Sequence, residues 1–245
     1  MSISKKKALI IIPTYNESQN IEKLLEEIYN QKNDINILIV DDNSPDKTYE
    51  IIENLMKDKY NKKLFLLKRA GKLGLGTAYI EGFRWALKNE YDYIFEMDAD
   101  FSHNPIYIPK FLEEIENNDL IIGSRYVNDG GVKNWGIIRK IVSRGGSLYA
   151  KIILGLPLND ITGGFKCFKK EVLENMDLDR IKSNGYSFQV ELNYITYLKG
   201  YKIKEVPIIF EDRTLGKSKM SKKIFLEAIL MVWWMRFNRR FLKNI

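Results

Sequence analysis

Cysteine and histidine are almost absent from this 245-residue chain, which has one of each, Cys167 and His103. A single cysteine cannot form an internal disulfide, and an intracellular location is the better expectation for such a sequence. We expect Cys167 to be a small buried hydrophobic side chain and His103 to be a helix-start or packing residue. Hydrolysis by a nucleophile–histidine pair is therefore poorly supported.

Long hydrophobic runs are also lacking. The N-terminal run Ala8–Ile12 ends at Pro13, and the longest run, Ile224–Met235, contains Glu227. The first is too short for a signal-peptide core, and both are too short for a membrane span. The chain is 45% hydrophobic with a formal net charge of +7. It can bury a full core, and it fits an anionic partner such as nucleic acid, a nucleotide diphosphate or an anionic membrane surface.

Short apolar runs alternate with helical patterns in the first half of the chain. This alternation predicts an α/β fold with a mostly parallel sheet. Polar segments follow three of the runs, at 13–17, 41–46 and 98–100, and ligands bind beyond the carboxyl ends of such strands. The predicted strands are Ala8–Ile12, Ile37–Val40, Leu64–Leu67, Tyr93–Met97 and Leu120–Ile122, with helices near 17–31, 47–58, 76–89 and 106–117.

The pattern changes after about residue 125. A glycine-containing loop at 129–131 leads to a basic amphipathic segment, a strand, a helix, a strand and a C-terminal helix. We predict one domain over 1–220 and a separate C-terminal amphipathic helix over 221–245. Paired tryptophans beside arginines favour a membrane-interface helix slightly over a core-covering one. The predicted elements are Ile137–Leu156, Gly164–Phe168, 187–199, Lys202–Phe210 and the helix from about Lys222.

Asp98-Ala99-Asp100 follows the predicted strand Tyr93–Met97. Two carboxylates at positions i and i+2 of a strand point to one face, so both can approach one divalent cation. Mg²⁺ and Mn²⁺ favour carboxylate oxygens and keep positions for substrate phosphates. An isolated Asp-x-Asp is more often a turn, but Asp41-Asp42 and Glu17 are expected at the same edge and would repel it without a cation. The sequence therefore predicts a metal site here.

Asp41-Asp42 allows two interpretations. Segment 41–46 is typical of a turn, in which Asp46 could cap the next helix. Alternatively, one carboxylate accepts hydrogen bonds from a nucleotide base while Tyr15 stacks on its ring. The glycine segment 71–77 matches neither a P-loop nor a dinucleotide fingerprint, but its backbone N–H groups could face an anion or a ribose.

Basic side chains are concentrated in the second half, in glycine-rich segments. Any one of them alone is more typical of a solvated surface charge. Together they suit phosphate binding, for which the planar fork of arginine is well shaped. They are Arg125, Arg139, Lys140, Arg144, Arg213, Lys217 and Lys219.

As a set, several segments resemble the inverting glycosyltransferases of family two, which have a Rossmann-like nucleotide-diphospho-sugar transferase domain of the A-type fold. These segments are 12–17, 40–46, 97–100 and 123–126. Within that family the chain resembles the dolichyl-phosphate mannose synthases, through segments 72–79, 139–145, 160–165 and 212–219. The resemblance runs in order from about Ala8 to Lys219, and it implies a donor half over about 8–124 and an acceptor half over about 125–220.

The resemblance implies a role for each matching donor-side residue. Asp98, Ala99 and Asp100 would hold Mg²⁺ or Mn²⁺ and the donor diphosphate, with Asp100 as the direct metal ligand. Ser102 stands where some relatives have glutamine, so the full set of metal ligands stays open with Ser102 as a further candidate. The nucleoside would be held by Pro13, Tyr15, Glu17, Val40 and Asp42.

The acceptor-side roles are likewise implied. Arg213 and Lys219 would clamp the donor diphosphate, and Arg125, Arg139 and Ser143 would bind the phosphate of the acceptor. With Asp100, these last three residues would carry catalysis.

The implied reaction transfers mannose from GDP-mannose to dolichyl or another polyprenyl phosphate with inversion, giving dolichyl-phosphate β-D-mannose and GDP. A phosphate acceptor is already anionic near pH 7 and needs no strong base. The chain lacks the transmembrane helices of some members. It would act peripherally on the cytosolic face of a membrane, the endoplasmic reticulum in a eukaryote, with small membrane-anchoring subunits.

Three alternatives stay open. The donor could be another nucleotide sugar, such as UDP-glucose, with a polyprenyl phosphate acceptor. A hydroxyl acceptor would require a base such as Glu191 or Asp160. A nucleic-acid-binding module would fit the positive charge, but no strand with interleaved aromatic and basic residues supports it, so we expect no nucleic-acid partner.

Overall fold

The computed structural model describes residues 6–31, 33–181, 183, 185–212 and 222–245. The strands of the described chain are β1 (Ala8–Thr14), β2 (Ile35–Asp41), β3 (Leu64–Lys68), β4 (Tyr93–Glu96), β5 (Leu120–Ser124), β6 (Gly131–Lys133), β7 (Lys166–Lys169), β8 (Ile203–Pro207) and β9 (Ile209–Glu211). Among them, seven form one sheet in the order β3-β2-β1-β4-β7-β5-β8, and β6 pairs with β9.

Helices cover both faces of the sheet. They are α1 (Ile21–Asn30), α2 (Thr48–Asp58), α3 (Leu75–Lys88), α4 (Ile108–Glu114), α5 (Ile137–Leu154), α6 (Lys170–Glu174), α7 (Tyr186–Leu198), α8 (Lys222–Phe237) and α9 (Arg239–Lys243). In the main sheet β7 runs antiparallel to β4 and β5, and the other pairs are parallel. The α/β class and the mostly parallel sheet are therefore confirmed.

Alternate residues of β1 enter two hydrophobic clusters on opposite faces of the sheet. Leu9 and Ile11 pack with α3, α5, α7, α8 and α9, whereas Ile10 and Ile12 pack with α1, α2 and α4. Gly82 lets α3 lie close to β1, because a Cβ atom at Gly82 would come within 2.6 Å of the Ile11 side chain. This packing places the start of α3 at the carboxyl edge of the sheet.

The predicted strand Lys202–Phe210 is wrong as a single element. It is divided at Ile208, where β8 leaves the main sheet and β9 begins to pair with β6. Pro207 ends β8 and has no N–H group to continue the ladder. The N–H of Ile208 still donates to Ser124 O at 3.0 Å, and its carbonyl accepts from Gly131 N at 3.0 Å.

Helices α8 and α9 pack on α5 and α7. Met235 and Leu242 are buried in the main core, while Trp233 and Phe237 stack on each other and stay exposed. The C-terminal segment therefore has one side in the core and another in solvent. None of the helices among the described residues is both long enough and apolar enough to cross a membrane.

Cys167 lies in β7 and is fully buried, as expected of a small hydrophobic side chain. Burial raises the pKa of its thiol well above the ordinary value. The thiol is therefore held in its unreactive protonated form.

Candidate active site

The three polar segments predicted to converge follow β1, β2 and β4 at one edge of the sheet. A residue with a left-handed backbone lies within or directly after each segment: Asn16 (φ 63°), Asn43 (φ 56°) and Phe101 (φ 63°). Asparagine adopts this conformation readily, but a bulky phenylalanine does so only when its surroundings hold it there. The loop after β4 is thus the strained member of the three, and such strain often marks a functional loop.

Asp41 is a structural residue at this edge. Its Oδ2 accepts hydrogen bonds from Thr14 Oγ1 at 2.7 Å and Ser44 Oγ at 2.6 Å, and its Oδ1 accepts from Ser44 N at 2.9 Å. Asp41 is fully buried. The turn interpretation therefore describes Asp41, and its hydrogen bonds tie the ends of β1 and β2 together.

Asp42 forms a buried ion pair with Arg69, a residue that the sequence analysis missed. Arg69 Nη1 lies 2.6 Å from Asp42 Oδ1, and the exposed fractions of the two side chains are 2% and 9%. Arg69 also donates to Glu81, Thr77 and the carbonyl of Gly74. One guanidinium therefore joins the end of β2 to the glycine loop and the first turns of α3.

The backbone N–H groups of the glycine loop face an anion, as predicted, and this anion is the carboxylate of Asp42. The N–H groups of Leu73 and Gly74 approach Asp42 Oδ2 at 3.2 and 3.4 Å. The Lys72 ammonium lies 4.0 Å from the centre of the Tyr15 ring. Asp42, Tyr15 and the glycine loop thus form one connected surface.

The remaining predicted nucleoside residues lie around this surface. Pro13 and Val40 are register partners on β1 and β2, and the Val40 side chain is fully buried. The Glu17 N–H donates to Thr48 Oγ1 at 3.1 Å, and its carboxylate accepts from Asn20 Nδ2 at 2.8 Å. The Val40 side chain is therefore closed to solvent in the centre of the sheet, whereas Glu17 helps to fix the turn after β1.

Asp98 and Asp100 lie in the strained loop after β4. The side chain of Asp98 is about one-third exposed, and the hydroxyl of the buried Tyr79 approaches its Oδ1 at 3.4 Å. Asp100 is 8% exposed and accepts from Ser102 N at 3.1 Å. The Ser102 hydroxyl is buried and has no hydrogen-bond partner in the described structure.

The sequence predicts that the carboxylates at this edge repel one another unless a cation is bound, but protein groups already offset the charges of Asp41 and Asp42. Asp41 is held by hydroxyl groups, and Asp42 is paired with Arg69. Within the described residues, no group of three or more acidic, histidine or cysteine side chains is placed to hold a metal ion. The case for a metal at Asp98 and Asp100 therefore depends on their own loop, because protein groups already compensate the neighbouring charges.

His103 supports that loop directly. Its Nδ1 accepts a hydrogen bond from the Asp98 N–H at 3.0 Å, and the side chain is 3% exposed. Burial lowers the pKa of His103, which keeps the ring neutral. Packing was the sequence expectation, but the contact with the Asp98 backbone could not be read from spacing.

Arg125 forms a bidentate ion pair with Asp160. Its Nε and Nη2 each lie 2.6 Å from one oxygen of the fully buried Asp160, and Nη2 also donates to Thr162 at 2.9 Å. The Arg125 side chain is 8% exposed. Arg125 therefore stabilises the fold around Asp160 and Thr162, and little of its guanidinium reaches the surface.

Arg139 is more open. Its Nη1 lies 2.6 Å from Asp212 Oδ2, with exposed side-chain fractions of 35% and 26%, and its guanidinium lies 4.2 Å from the centre of the Trp135 ring. Ser143, one turn further along α5, accepts from the Tyr126 hydroxyl at 2.8 Å. The predicted diphosphate residues Arg213 and Lys219, and Lys217 with them, lie outside the described residues.

A second missed group lies beneath the site. Glu96 and Lys166 are register partners on β4 and β7, both fully buried, with Nζ 3.8 Å from Glu96 Oε2. Lys166 also donates to the side chain and the carbonyl of Gln189. Burial raises the pKa of Glu96 to about 7 and lowers the pKa of Lys166 to about 8.

The protein has a mostly parallel sheet, a loop with two aspartates at the carboxyl edge of that sheet, and a second half of the chain that is rich in arginines. This is the arrangement of the A-type transferases of activated sugars. Residues 9–177 match the family model described as Glycosyl transferase family 2, and the chain belongs to that family of inverting glycosyltransferases. The family resemblance inferred from the motifs is thereby confirmed.

Two curated relatives match almost the whole chain. An undecaprenyl-phosphate mannosyltransferase from Micrococcus luteus is 44% identical over 226 residues, which cover 92% of each chain. A polyprenol monophosphomannose synthase from Mycolicibacterium smegmatis is 39% identical over 234 residues, which cover 94% of this chain and 88% of the relative. The narrower resemblance to polyprenyl-phosphate mannose synthases agrees with both names.

Two solved structures share the fold at 15% identity. The mannosyltransferase PcManGT from Pyrobaculum calidifontis, in complex with GDP-Man and Mn²⁺, aligns with a TM-score of 0.58 over 97% of this chain and 65% of its own. Mannosyl-3-phosphoglycerate synthase from Rubrobacter xylanophilus aligns with a TM-score of 0.61 over 98% of this chain and 76% of its own. At such identity these likenesses support the fold alone.

Proposed function

We propose that this protein transfers mannose from GDP-mannose to a polyprenyl phosphate, with inversion at the anomeric carbon. The observation that carries the proposal is the 39–44% identity to two polyprenyl-phosphate mannose synthases along nearly the whole chain. Dolichyl phosphate is the proposed acceptor if the source is a eukaryote. The family and the fold do not specify the sugar, so the identity of the donor nucleotide sugar is the first point to test.

The donor side of the proposal follows from the edge of β1 and β2. Tyr15 and the glycine loop present an aromatic face and backbone N–H groups. Asp42 holds the glycine loop directly and through Arg69, and Lys72 of that loop lies over the Tyr15 ring. A nucleoside would lie on this surface, with Pro13, Glu17 and Val40 beside it. The preformed hydrogen bonds reduce the entropy lost when the donor binds.

The residues of the loop after β4 fit a divalent cation. Asp98 and Asp100 provide two carboxylates, and the buried Ser102 hydroxyl without a partner is a third oxygen of the kind such a cation binds. Two carboxylates suffice when substrate phosphates complete the shell. Bound here, Mg²⁺ or Mn²⁺ would offset the charge on the leaving diphosphate. Arg213 and Lys219 are proposed to act on the same charge.

The acceptor side favours a phosphate over a hydroxyl. A hydroxyl acceptor needs a base, and the two candidates, Asp160 and Glu191, are both fully buried. Asp160 is bound to Arg125, and Glu191 accepts from Ser183 N at 2.9 Å. A lipid phosphate is anionic near neutral pH and requires no base. Arg139 and Ser143 would hold it, and Arg125 would contribute from its buried position beside Asp160.

A membrane surface is the proposed site of action. Of the thirteen strongly exposed large hydrophobic side chains in the described chain, six lie on α5 and four on α8 and α9. On α5 they include Ile137, Ile141, Leu148 and Ile152, which are spaced as one helical stripe. Helix α5 has four basic residues and no acidic ones. Such a surface suits peripheral binding to anionic lipid at the cytosolic face, with or without small anchoring subunits.

The test is a transfer assay with radiolabelled GDP-mannose and polyprenyl phosphate, with and without Mn²⁺, beside the same assay with UDP-glucose. The proposal expects mannosyl lipid from GDP-mannose only, and loss of product when the metal is chelated. Product from UDP-glucose alone would favour the glucosyl alternative and overturn the proposed donor.

A further inference from the structure

The His103 ring contacts Asp98 on one side and the aromatic residues Phe165 and Phe210 on others. Its Nδ1 accepts a hydrogen bond from the Asp98 N–H at 3.0 Å, and its Nε2 lies 3.9 Å from Asp98 Oδ2. A nitrogen that accepts from a backbone N–H has no proton of its own, so the neutral ring must have its proton on Nε2.

The ring is held in place by aromatic side chains from two other elements. Phe165, just before β7, stacks on it with centroids 5.1 Å apart, and Phe210 of β9 meets it edge-on at 5.7 Å. A Cβ atom at Gly164 would lie 3.4 Å from the ring, so the third side is close as well. A ring enclosed in this way cannot rotate without displacing its neighbours.

The loop that His103 supports is strained. Phe101 has a left-handed backbone between Asp100 and Ser102, at φ 63°. Two hydrogen bonds oppose that strain, from Ser102 N to Asp100 and from Asp98 N to His103. The second joins the start of the loop to His103 near its end, and the His103 ring packs on Phe165 and Phe210, so this bond fixes where the loop lies relative to the sheet.

We infer that His103 is a positioning residue for the metal and diphosphate loop. Its unprotonated Nδ1 holds the Asp98 N–H, and thereby directs the Asp98 and Asp100 carboxylates toward one point. The inference rests on the proposed function for the identity of the ligand at that point. It assigns His103 neither proton transfer nor direct contact with substrate.

Two substitutions distinguish the effect of the Nδ1 acceptor from the effect of the ring packing. His103→Asn keeps an oxygen near the position of Nδ1, while His103→Phe keeps a stacking ring and removes the acceptor. The probe is Mn²⁺ with GDP, and the readout is free Mn²⁺ measured by electron paramagnetic resonance. We expect the dissociation constant of Mn²⁺ to change less than about threefold in His103→Asn and to rise at least about tenfold in folded His103→Phe.

Equal Mn²⁺ affinity in folded His103→Phe and the unaltered protein would overturn the inference and leave the proposed function intact. Equal loss in both folded variants would overturn it too, because packing alone would then explain the effect. Failure of the unaltered protein to bind Mn²⁺ with GDP would instead contradict the proposed metal role itself, and the inference with it.

A second measurement needs no variant. Because His103 is the only histidine in the chain, its ring nitrogens can be identified unambiguously by ¹⁵N nuclear magnetic resonance. We expect a proton on Nε2 and none on Nδ1, and broadening of the ring signals when Mn²⁺, but not Mg²⁺, is added with GDP. A proton on Nδ1 would overturn the inference even if His103→Phe does not fold.

Discussion

At the edge formed by β1 and β2, Asp41, Asp42 and Arg69 are buried and paired, whereas α5 presents its arginines among exposed apolar side chains. The Asp42–Arg69 pair is under one-tenth exposed, while the Arg139–Asp212 pair is about one-third exposed. Such a difference suits two kinds of ligand. A rigid nucleotide benefits from a preformed surface, and a lipid phosphate must be reached from a membrane.

Arg125 belongs with the donor edge in this comparison, although the family resemblance groups it with Arg139. Its ion pair with Asp160 is as buried as that of Arg69 with Asp42. Two arginines with the same implied role therefore have different structural settings. Removal of one should disturb folding, and removal of the other should disturb binding.

The largest expected effect comes from the metal loop. Asp100→Ala should reduce transfer by at least about a thousandfold, because the leaving diphosphate loses its counter-charge. The melting temperature should stay within about 3 °C of the unaltered protein, since the loop keeps its hydrogen bond from Asp98 N to His103. Initial rates with GDP-mannose and thermal melts provide the measurement.

Asp58→Ala is the matched control for this change, because it removes the same charge from an exposed position on α2. The control should keep full activity. Near-normal transfer by Asp100→Ala would contradict the metal role of the loop.

The second prediction separates the two arginines. Arg125→Gln leaves the buried Asp160 without its partner and should reduce the free energy of unfolding by about 3 kcal/mol. Arg139→Gln breaks a pair that is about one-third exposed and should cost less than about 1 kcal/mol, but raise the acceptor KM about tenfold. Urea unfolding and initial rates test both. Equal stability of the two variants would contradict a structural role for Arg125 and a binding role for Arg139.

The third prediction concerns pH and the buried Glu96. Burial raises its pKa to about 7, so the folded state keeps a proton that the unfolded state has already released. Stability from this group is present at acid pH and is lost as the pH rises through about 7. Between about pH 5 and pH 7 the unfolding free energy should fall by on the order of 2 kcal/mol relative to Glu96→Gln.

Urea unfolding without divalent cations measures this difference. Lys166, with its pKa lowered to about 8, titrates above the chosen range. The exposed Glu53→Gln is the control and should follow the unaltered protein at every pH. A difference that stays constant with pH would show that Glu96 is ionised in the folded protein throughout.

The smallest expected effect comes from the exposed apolar surface. Ile141→Asp on α5 and Phe237→Asp on α8 should each weaken binding to vesicles containing phosphatidylglycerol by about tenfold. Activity on a short, water-soluble acceptor should not change. Co-sedimentation measures binding, and Asn61→Asp, an exposed change of equal charge before β3, should have no effect. Unchanged binding in both variants would contradict the membrane role of these helices.

The sequence predicts the order of strands and helices well, because burial on both faces produces continuous apolar runs in β1, β2 and β4. It fails where one residue changes the path, as at Pro207, after which β9 pairs with β6 instead of the main sheet. Segment 202–210 looks like one strand because Ile203, Val206 and the run 208–210 are apolar and hide the break at Pro207. Pro207 is a signal for this division, and the three-dimensional pairing shows which strand the second part joins.

The site was predicted in part. The motifs place Asp98, Asp100 and Asp42 at one edge, but Arg69 follows β3 outside the motif segments used. Strand order supplies a signal that could have found it, since Lys68 pairs with Asp41 and the next residues on each strand are Arg69 and Asp42. The role of His103 had no such signal, because it depends on a backbone N–H group.

The most direct test of the account compares two acceptors that differ only in the phosphate. Purified protein with labelled GDP-mannose and Mn²⁺ would be given polyprenyl phosphate or the uncharged polyprenol of the same length. With Asp160 and Glu191 buried, we predict labelled lipid from the phosphate and none from the alcohol. Equal transfer to polyprenol would show that a base acts in this site, and would contradict the account.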